Sequence, residues 1–339
     1  MTNDADDSAP VVFLAGPTAA GKTALAADLV DRFAAEIVSV DSAQVFRGLD
    51  IGTGKPDRAL LERAPHRLID IRNPDECYSA AEFCLDARQA IQDIRARGRL
   101  PLLVGGSGLY FRALERGLSA MPKADPLLRA RIEAEAAAIG WPAMHDRLGQ
   151  VDAQAARRIH PNDPQRIGRA LEIHRSSGRS MSEWLECGRR SFLGAPICRI
   201  VLEPLEHGGD RSLLHRRIRD RFMQMLRDGL VDEVKALDRN WQLDARSPSM
   251  RAVGYRQVRA FLREGHGFDE MVERALAATR QLAKRQITWW RSEGRIFRVD
   301  CHAFDRAERV AKRIDEFLAE CESPSGGDCQ AMKALGLVN

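Results

Sequence analysis

Residues 16–23 read GPTAAGKT and match the pattern G-x-x-x-x-G-K-[ST]. Two glycines let such a loop point its N–H groups at phosphate oxygens, while the lysine adds a positive charge and the hydroxyl can bind Mg²⁺. The apolar run VVFLAG precedes the loop and a helix-periodic run follows it, so a helix N-terminus adds to the attraction for an anion. A plain glycine turn between a strand and a helix is the alternative. The predicted phosphate-binding residues are Gly16, Pro17, Thr18, Ala19, Ala20, Gly21, Lys22 and Thr23, with Thr23 as the metal ligand.

Composition places the chain among ordinary globular proteins. Its 339 residues include 44% hydrophobic and 29% charged side chains, enough for a full core and more than one domain. Seven cysteines without a C-x-x-C pair favour reduced thiols over a disulfide framework or a zinc site. The segment MTNDADDSAP shows no export signal, and no stretch approaches the roughly 20 apolar residues of a membrane helix. We expect a cytoplasmic protein without membrane association and, since no heptad repeat is present, a monomer.

Short apolar runs alternate with helical segments at both ends of the chain. The strand candidates are VVFLAG, EIVSV ending at Val40, HRLIDI at 66–71, PLLVGG at 101–106, ICRIVLE at 197–203 and RIFRV at 295–299. This alternation predicts an α/β fold, with a parallel sheet wrapped by helices as in P-loop NTPases. Residues 121–194 instead show helical periodicity, with Asp163 as an N-cap, and predict an all-helical insertion domain. The remaining segments are the P-loop core at 11–120 and 195–320 and the ends at 1–10 and 321–339, which are predicted to be disordered.

A carboxylate follows the second predicted strand. In IVSVDSAQ, Asp41 comes directly after the last apolar residue, at the sheet edge where ligands of open α/β folds bind. It can hold Mg²⁺ through water, act as a base toward a substrate, or only cap the turn that follows. Downstream, RGLDIGTGKP at 47–56 predicts a bent loop that reaches over the same site.

The fourth predicted strand ends in glycines. PLLVGGSGLYF has Gly105 and Gly106 where a P-loop ATPase has an acidic metal ligand, and Ser107 offers a hydroxyl. The nearest match to the guanine-binding pattern [NT]-K-x-D is PKAD at 122–125, which lacks the first polar residue and disfavours a GTPase. Because glycine permits close approach, we predict room for a second, bulky reactant beside the phosphate-binding loop.

Lysine and arginine cluster, although the formal net charge is only +4. In TRQLAKRQITWWR at 279–291, a helix would place Arg280, Lys284 and Arg291 on one stripe. The segment contains no acidic residue, which favours phosphate contacts over a merely solvated face. Arginines and amides recur in PQRIGR and MRAVGYRQ, and such side chains bind phosphates and base edges. RNA is therefore the predicted partner.

Together these segments resemble the bacterial tRNA dimethylallyltransferases, also called tRNA isopentenyltransferases. The resemblance rests on GPTAAGKT, DSAQVFRGLDIGTGKP, PHRLIDI, YSAAEF, PLLVGGSGLYF, RIHPNDPQRIGRALEI, MRAVGYRQ and ATRQLAKRQITWWR, spread over residues 11–291. The chain departs from the family pattern at Phe46, where tyrosine is usual, and at Ser107, where threonine is usual. The second change keeps the hydroxyl.

The resemblance implies transfer of a dimethylallyl group from dimethylallyl diphosphate to the N6 amine of the adenosine on the 3′ side of the anticodon. It implies that Lys22 stabilises the departing pyrophosphate, Asp41 accepts the amine proton and Ser107 orients the adenine. Arg217 or Arg221 is expected to bind the diphosphate together with the loop and Mg²⁺. The helical insertion is expected to bind the anticodon stem-loop.

Other residues around these motifs are expected to contact tRNA. They are Asp41, Ser42, Ala43, Gln44, Gln165, Arg166, Ile167, Gly168, Arg169, Arg251, Gly254, Tyr255, Arg256, Gln257, Arg280, Lys284, Arg285, Gln286, Thr288, Trp289 and Arg291. Two further hypotheses stay open beside the transferase: a P-loop small-molecule kinase, and an RNA-binding ATPase without group transfer.

Overall fold

The computed structural model describes residues 9–188, 191–205, 211–244 and 247–323. The ends predicted to be disordered lie outside these ranges, except for residues 9–10 and 321–323. The chain divides into two compact units: Glu115–Phe192 form the second, and the residues before and after them form the first. The sequence-based boundaries of the helical insertion were 121 and 194.

Six parallel strands form one sheet in the first unit. They are β1 Val11–Ala15, β2 Ala35–Val40, β3 His66–Arg67, β4 Leu100–Gly105, β5 Ile197–Glu203 and β6 Phe297–Asp300. Their order across the sheet is β3-β2-β4-β1-β5-β6, and each neighbouring pair is parallel. All residues of β1 are buried, as expected for a strand covered by helices on both faces. The predicted parallel α/β fold is confirmed.

Two of the predicted strands have different bounds. The run HRLIDI pairs only over His66–Arg67, because Leu68 and Asp70 have φ values of 64° and 56°, which turn the backbone away from the sheet. The run RIFRV begins its pairing at Phe297, after Arg295 with a φ of 53°. Apolar patterns carry no information on these left-handed positions. The predicted strand at 66–71 is therefore too long, and the one at 295–299 begins too early.

The part of the chain that the structure describes contains fourteen α-helices. They are α1 Lys22–Phe33, α2 Arg58–Arg63, α3 Ala80–Ala96, α4 Gly108–Arg116, α5 Pro126–Ile139, α6 Trp141–Val151, α7 Ala153–Arg158, α8 Pro164–Ser177, α9 Met181–Glu186, α10 Ser212–Arg227, α11 Leu230–Asn240, α12 Tyr255–Glu264, α13 Phe268–Arg291 and α14 Arg306–Glu322. The predicted cap Asp163 accepts a hydrogen bond from the Arg166 N–H (3.0 Å), which confirms how α8 begins. None of the described helices is both long and apolar enough to cross a bilayer.

Side chains of β1 alternate between two layers of helices. Leu14 packs in a cluster with Leu25 and other residues of α1 and α14. Phe13 points the other way, with its ring centroid 4.8 Å from that of Phe111 in α4, which in turn lies 5.3 Å from the Trp290 ring of α13. This alternation follows from the two-residue period of a strand. Strand β1 is therefore packed between the two layers, and the loop that follows it leaves the sheet at the carboxyl end of the strand.

The second unit has its own core, formed by helices α5 to α9. Its buried apolar residues include Ile132, Met144, Leu148, Ile167 and Leu171. Glu172 is also buried, and it accepts hydrogen bonds from the Asp125 N–H (2.7 Å), Arg129 (3.1 Å) and Arg169 (2.9 Å). Burial alone would raise the pKa of Glu172, but these donors hold it below its usual value.

Candidate functional site

Three loops meet at one edge of the sheet because their strands are neighbours. Strand β4 lies between β1 and β2, and Gly105 at its end pairs with both Ala15 and Val40. The residues that follow these strands, including Gly16 and Asp41, therefore leave the sheet side by side. Around them is a cavity of about 370 Å³ in the first unit, a size typical of small-ligand sites.

The loop predicted to bind phosphate connects β1 to α1. Gly16 has a φ of 148°, and a Cβ there would lie 2.3 Å from the carbonyl oxygen of Leu202. Gly21 is the N-cap of α1 and has a φ of 87°. Both positions require glycine because a side chain would clash or strain the backbone. Both glycines therefore adopt backbone conformations that suit their role in the motif, which is to let the loop turn its N–H groups toward phosphate oxygens.

Lys22 lies folded across this loop. Its Nζ donates hydrogen bonds to the carbonyl oxygens of Gly16 (2.9 Å) and Pro17 (2.7 Å). Burial and then the nearby Arg221 guanidinium lower the pKa of Lys22 from 10.5 to about 8, against an opposing effect of the Asp41 carboxylate. A bound anion favours the charged amine, so the charge on Lys22 responds to what occupies the cavity.

Asp41 caps the turn after β2 with one carboxylate oxygen. Oδ1 accepts hydrogen bonds from the N–H groups of Ala43 (2.8 Å) and Gln44 (3.4 Å). Oδ2 accepts none from the residues that the structure describes, and Asp41 lines the cavity. Turn capping and a role toward a substrate are therefore compatible, because one oxygen orients the side chain and leaves the other for chemistry.

Gly106 and Ser107 form the β4 side of the cavity. The Gly106 carbonyl accepts a hydrogen bond from Gln286 Nε2 (3.1 Å), and the Oε1 of the same amide accepts one from the Thr18 N–H (2.9 Å). Gln286 thus joins α13 to both the phosphate-binding loop and the β4 loop, a role that the sequence did not indicate. Ser107 also lines an adjoining cavity of about 420 Å³.

We expect Gln286→Ala to lower the free energy of unfolding by about 1–3 kcal/mol, because it leaves the partly buried Thr18 N–H without a partner, whereas the Gly106 carbonyl keeps its hydrogen bond from the Gly108 N–H (3.1 Å). Urea denaturation measures the change. Gln281→Ala, at an exposed position of the same helix, is the matched control and is expected to stay within about 0.5 kcal/mol of wild type. Equal stability of the two variants would contradict the bridging role.

Of the two arginines expected at the diphosphate, Arg221 lines the cavity and Arg217 does not. Arg221 donates to the Thr53 carbonyl (3.3 Å), and burial lowers its pKa while Asp41 opposes that shift. Arg217, one turn earlier in α10, donates to the Cys301 carbonyl (3.3 Å) after β6. Arg221 is therefore the candidate for contact with a bound anion.

Residues of the first unit expected to bind tRNA fall into three groups. Those lining the cavity are Asp41, Ser42, Ala43, Gln44, Arg251, Gly254, Arg285 and Gln286. Two are buried with internal partners: Tyr255 donates to Glu233 (2.5 Å), and Gln257 accepts from the Gly254 N–H (2.9 Å). The others are Arg256, Arg280, Lys284, Thr288, Trp289 and Arg291. The structure thus brings eight of these residues to the cavity and uses two inside the protein.

The cations of α13 differ in their surroundings. Lys284 and Arg285 are exposed and Arg280 is half-buried, and none of them forms an ion pair with residues in the described ranges. Arg291 Nε lies 3.4 Å from Glu203 Oε2. The acid missing from the local sequence is therefore supplied by β5. Arg291 already has an anionic partner, whereas the other three are open to phosphate contacts.

The predicted RNA-binding residues of the second unit lie at the start of α8. They are Gln165, Arg166, Ile167, Gly168 and Arg169. Arg166 is exposed beside Asp163 (3.4 Å), while Ile167 is buried in the apolar cluster. Arg169 donates to Glu172 (2.9 Å) and to the Pro122 carbonyl (2.6 Å). Gln165 and Arg166 are the members whose side chains are exposed.

Lys55, which the sequence only placed in a bent loop, is an internal anchor of that loop. Its side chain is 5% exposed, donates to the Phe46 carbonyl (2.6 Å), and pairs with Asp50 (2.8 Å) and Asp70 (2.5 Å). Phe46, where the family usually has tyrosine, is itself buried. The loop that forms one wall of the cavity is therefore anchored by a lysine with three oxygen partners.

An oxygen donor suited to Mg²⁺ lines the cavity. Thr23, whose hydroxyl at the start of α1 is the metal ligand that the sequence predicts, is among the lining residues. Mg²⁺ prefers such oxygen ligands and completes its coordination with water and substrate phosphates. The residues present therefore fit the metal that the sequence predicted.

Fold and site together define a P-loop-like α/β protein in which the loop predicted to bind phosphate shares its cavity with an Asp and a Ser from two neighbouring strand ends. The model of the family described as IPP transferase matches residues 44–293. The tRNA dimethylallyltransferase of Thiobacillus denitrificans is 55% identical over 305 residues, 90% of this chain and 96% of that protein. The tRNA dimethylallyltransferase of Halorhodospira halophila is 55% identical over 84% of this chain and 91% of its own. The chain belongs to the IPP transferase family, that of the tRNA dimethylallyltransferases.

Solved structures give the same result at the level of the fold. The full-length tRNA isopentenylpyrophosphate transferase of Bacillus halodurans is 34% identical, with a TM-score of 0.65 over 91% of this chain and 98% of that one. A eukaryotic dimethylallyltransferase acting on tRNA is 25% identical, with a TM-score of 0.77 over 97% of this chain and 84% of that one. The resemblance noted in the sequence is confirmed.

Proposed function

We propose that the protein transfers a dimethylallyl group from dimethylallyl diphosphate to the N6 amine of the adenosine 3′-adjacent to the anticodon in tRNA, releasing pyrophosphate. The observation that carries the proposal is the meeting of the phosphate-binding loop, Asp41 and Ser107 at one cavity in a chain of this family. A diphosphate on the loop and an adenine beside Ser107 would both be within reach of Asp41.

The residues around the predicted phosphate-binding loop stabilise the leaving group, which is pyrophosphate. As the bond from the allylic carbon to oxygen loosens, negative charge grows on the pyrophosphate, and fixed cations and N–H groups stabilise it. Lys22 of the loop and Arg221 of α10, which both line the cavity, supply that charge. Mg²⁺ held by Thr23 would neutralise phosphate oxygens as a Lewis acid.

Asp41 and Ser107 act on the adenine, whose exocyclic amine is the nucleophile. The exocyclic amine must lose a proton as the new N–C bond forms, and Asp41 Oδ2 is placed to accept it while Oδ1 keeps the side chain oriented. The Ser107 hydroxyl can donate to or accept from the adenine edge. Extruding a base from an anticodon loop costs only about a few kcal/mol of stacking.

The cations of the first unit and the helical second unit are assigned to tRNA. Arg285 lines the cavity and is exposed, as is its neighbour Lys284, so both suit phosphate contacts. Gln165 and Arg166 offer the same chemistry in the second unit. We propose that the second unit binds the anticodon stem-loop. We also propose that the enzyme is monomeric, depends on Mg²⁺ and is cytoplasmic.

One mixing experiment tests the function. The protein is incubated with unmodified tRNA, Mg²⁺ and labelled dimethylallyl diphosphate, and in parallel with labelled ATP. We expect label in the tRNA from the first donor and no transfer from ATP to tRNA or to small acceptors. Phosphoryl transfer from ATP to a small acceptor would support the kinase hypothesis instead, and ATP hydrolysis stimulated by RNA would support the ATPase.

The basic face of α13 makes tRNA binding depend on salt. Each phosphate contact contributes about −0.7 to −0.9 to the slope of log affinity against log salt, so Lys284→Ala should flatten the slope by roughly that amount. The measurement is the dissociation constant of wild type and variant across a salt series. Arg274→Ala on the same helix, where the guanidinium is paired with Glu270 (2.7 Å), is the control. Superimposed plots for wild type and Lys284→Ala would mean that the face is only solvated.

A further inference from the structure

A carboxylate lies behind the loop that forms one wall of the cavity. Glu233, in the first turn of α11, accepts four hydrogen bonds. Its Oε2 accepts from the N–H groups of Asp50 (3.1 Å) and Ile51 (2.8 Å), and its Oε1 accepts from the Gly52 N–H (3.2 Å) and the Tyr255 hydroxyl (2.5 Å). Three consecutive backbone donors on one ionised carboxylate fix the course of that backbone, because charge-assisted hydrogen bonds are the strong ones.

Tyr255 completes this arrangement, which we call the Glu233 clamp: the Glu233 carboxylate, the Tyr255 hydroxyl and the N–H groups of residues 50–52. Tyr255 is fully buried, and burial together with the Glu233 carboxylate raises the pKa of its phenol, so it remains a donor. Gly52 lies against the ring, where a Cβ would be 2.5 Å from Tyr255 Cε2. The hydrogen bonds to Glu233 and the close packing of Gly52 against the Tyr255 ring therefore favour one and the same position of the loop.

The clamped loop contacts the cation assigned to the diphosphate. Gly52, Thr53 and Pro56 line the cavity. The Thr53 carbonyl accepts a hydrogen bond from Arg221 Nη2 (3.3 Å). At Gly54, with a φ of 62°, a Cβ would lie 1.9 Å from the same nitrogen. The guanidinium thus rests directly on the loop backbone, and its position depends on that of the loop.

We infer that Glu233 is a positioning residue that holds Arg221 in place for the diphosphate by fixing the loop on which the guanidinium rests. The inference rests on the proposed function. Glu233 is not among the residues lining the cavity, so its effect on a bound anion passes through the loop. A cation held in place before binding loses less conformational entropy when the anion arrives.

Glu233→Gln tests the inference, because the amide keeps the volume but turns one of the two acceptor ends into a donor that faces other donors. With inorganic pyrophosphate and Mg²⁺ as the probe, calorimetry should show an affinity about 10- to 100-fold below that of wild type. Asp232→Asn removes a charge from the same helical turn at a side chain that is 80% exposed. That control should stay within about twofold of wild type.

A double-mutant cycle separates positioning from general destabilisation. In an Arg221→Ala background, Glu233→Gln should cause no further loss of pyrophosphate affinity, because its effect passes through the missing guanidinium. Losses that multiply would overturn the inference. Tyr255→Phe removes one hydrogen bond of the clamp and keeps the ring, so the same cycle is run with it if Glu233→Gln does not fold.

Label transfer to tRNA by the wild-type protein is measured in parallel. If transfer occurs and Glu233→Gln binds pyrophosphate as tightly as Asp232→Asn does, the clamp is overturned and the proposed function stands. If the wild-type protein transfers no label, the proposed function fails and the role assigned to the clamp fails with it.

Discussion

Asp41→Asn should lower the single-turnover rate of dimethylallyl transfer by about 10²–10⁴, the usual contribution of a general base. Asparagine keeps the oxygen that accepts hydrogen bonds from the N–H groups of Ala43 and Gln44, so the turn survives. The amide that replaces Oδ2 cannot accept the proton from the adenine amine. Rapid-quench measurements with saturating tRNA and labelled donor give the rate.

Binding measurements distinguish a loss in the chemical step from a loss in substrate binding. Affinities for tRNA and for dimethylallyl diphosphate should stay within about threefold of wild type, since a group that acts only in the transition state changes the rate constant alone. Asp41→Ala is the companion variant, because it also removes the turn cap and should weaken binding as well. Near-normal turnover of Asp41→Asn would exclude Asp41 as the base.

Lys22→Ala should reduce kcat/KM for dimethylallyl diphosphate by about 10²–10³, as expected for loss of one preorganised group that stabilises a developing anion. The affinity for tRNA should remain at the wild-type value, because Nζ lies against the carbonyls of Gly16 and Pro17 in the phosphate-binding loop. Steady-state kinetics and tRNA binding assays measure the two effects. Equal losses for donor and tRNA would mean that Lys22 has only a structural role.

The lowered pKa of Lys22 adds a pH dependence to the same prediction. Below pH 8 the amine is already charged, whereas above its pKa of about 8 it must take up a proton to attract the diphosphate. Donor affinity should therefore fall as the pH rises from about 8 toward 10. Lys22→Arg, whose guanidinium stays charged over this range, should show no such fall. A wild-type affinity that does not change with pH would contradict the assignment.

Local sequence patterns were sufficient for the parts of the site that follow strands directly. The phosphate-binding loop, Asp41 and Ser107 each come at the end of an apolar run, and parallel strands bring their carboxyl ends to one edge. The fold confirms this convergence because β4 lies between β1 and β2. The roles of these side chains toward a substrate stay predictions.

Long-range partners could not be predicted from the sequence. The basic segment around Gln286 predicts a contact with RNA, yet its amide oxygen accepts a hydrogen bond from the N–H of Thr18, 268 residues earlier. Residues 279–291 contain no acid, which predicts an unpaired Arg291, yet Glu203 pairs with it from β5. The choice between Arg217 and Arg221 also needed the fold, since residues four apart share one face of a helix.

The position of the second unit in the chain affects the order in which the sheet is completed during synthesis. Strand β1 pairs with β4 on one side and with β5 on the other, but all of Glu115–Phe192 is made between those two strands. At about 5–20 residues per second, the ribosome needs on the order of ten seconds to translate that stretch. Throughout this interval the nascent sheet exposes the edge of a strand whose side chains are all apolar, a surface prone to aggregation. The helical segment has its own apolar cluster and can fold in the meantime, so translation speed across it sets how long that edge stays open.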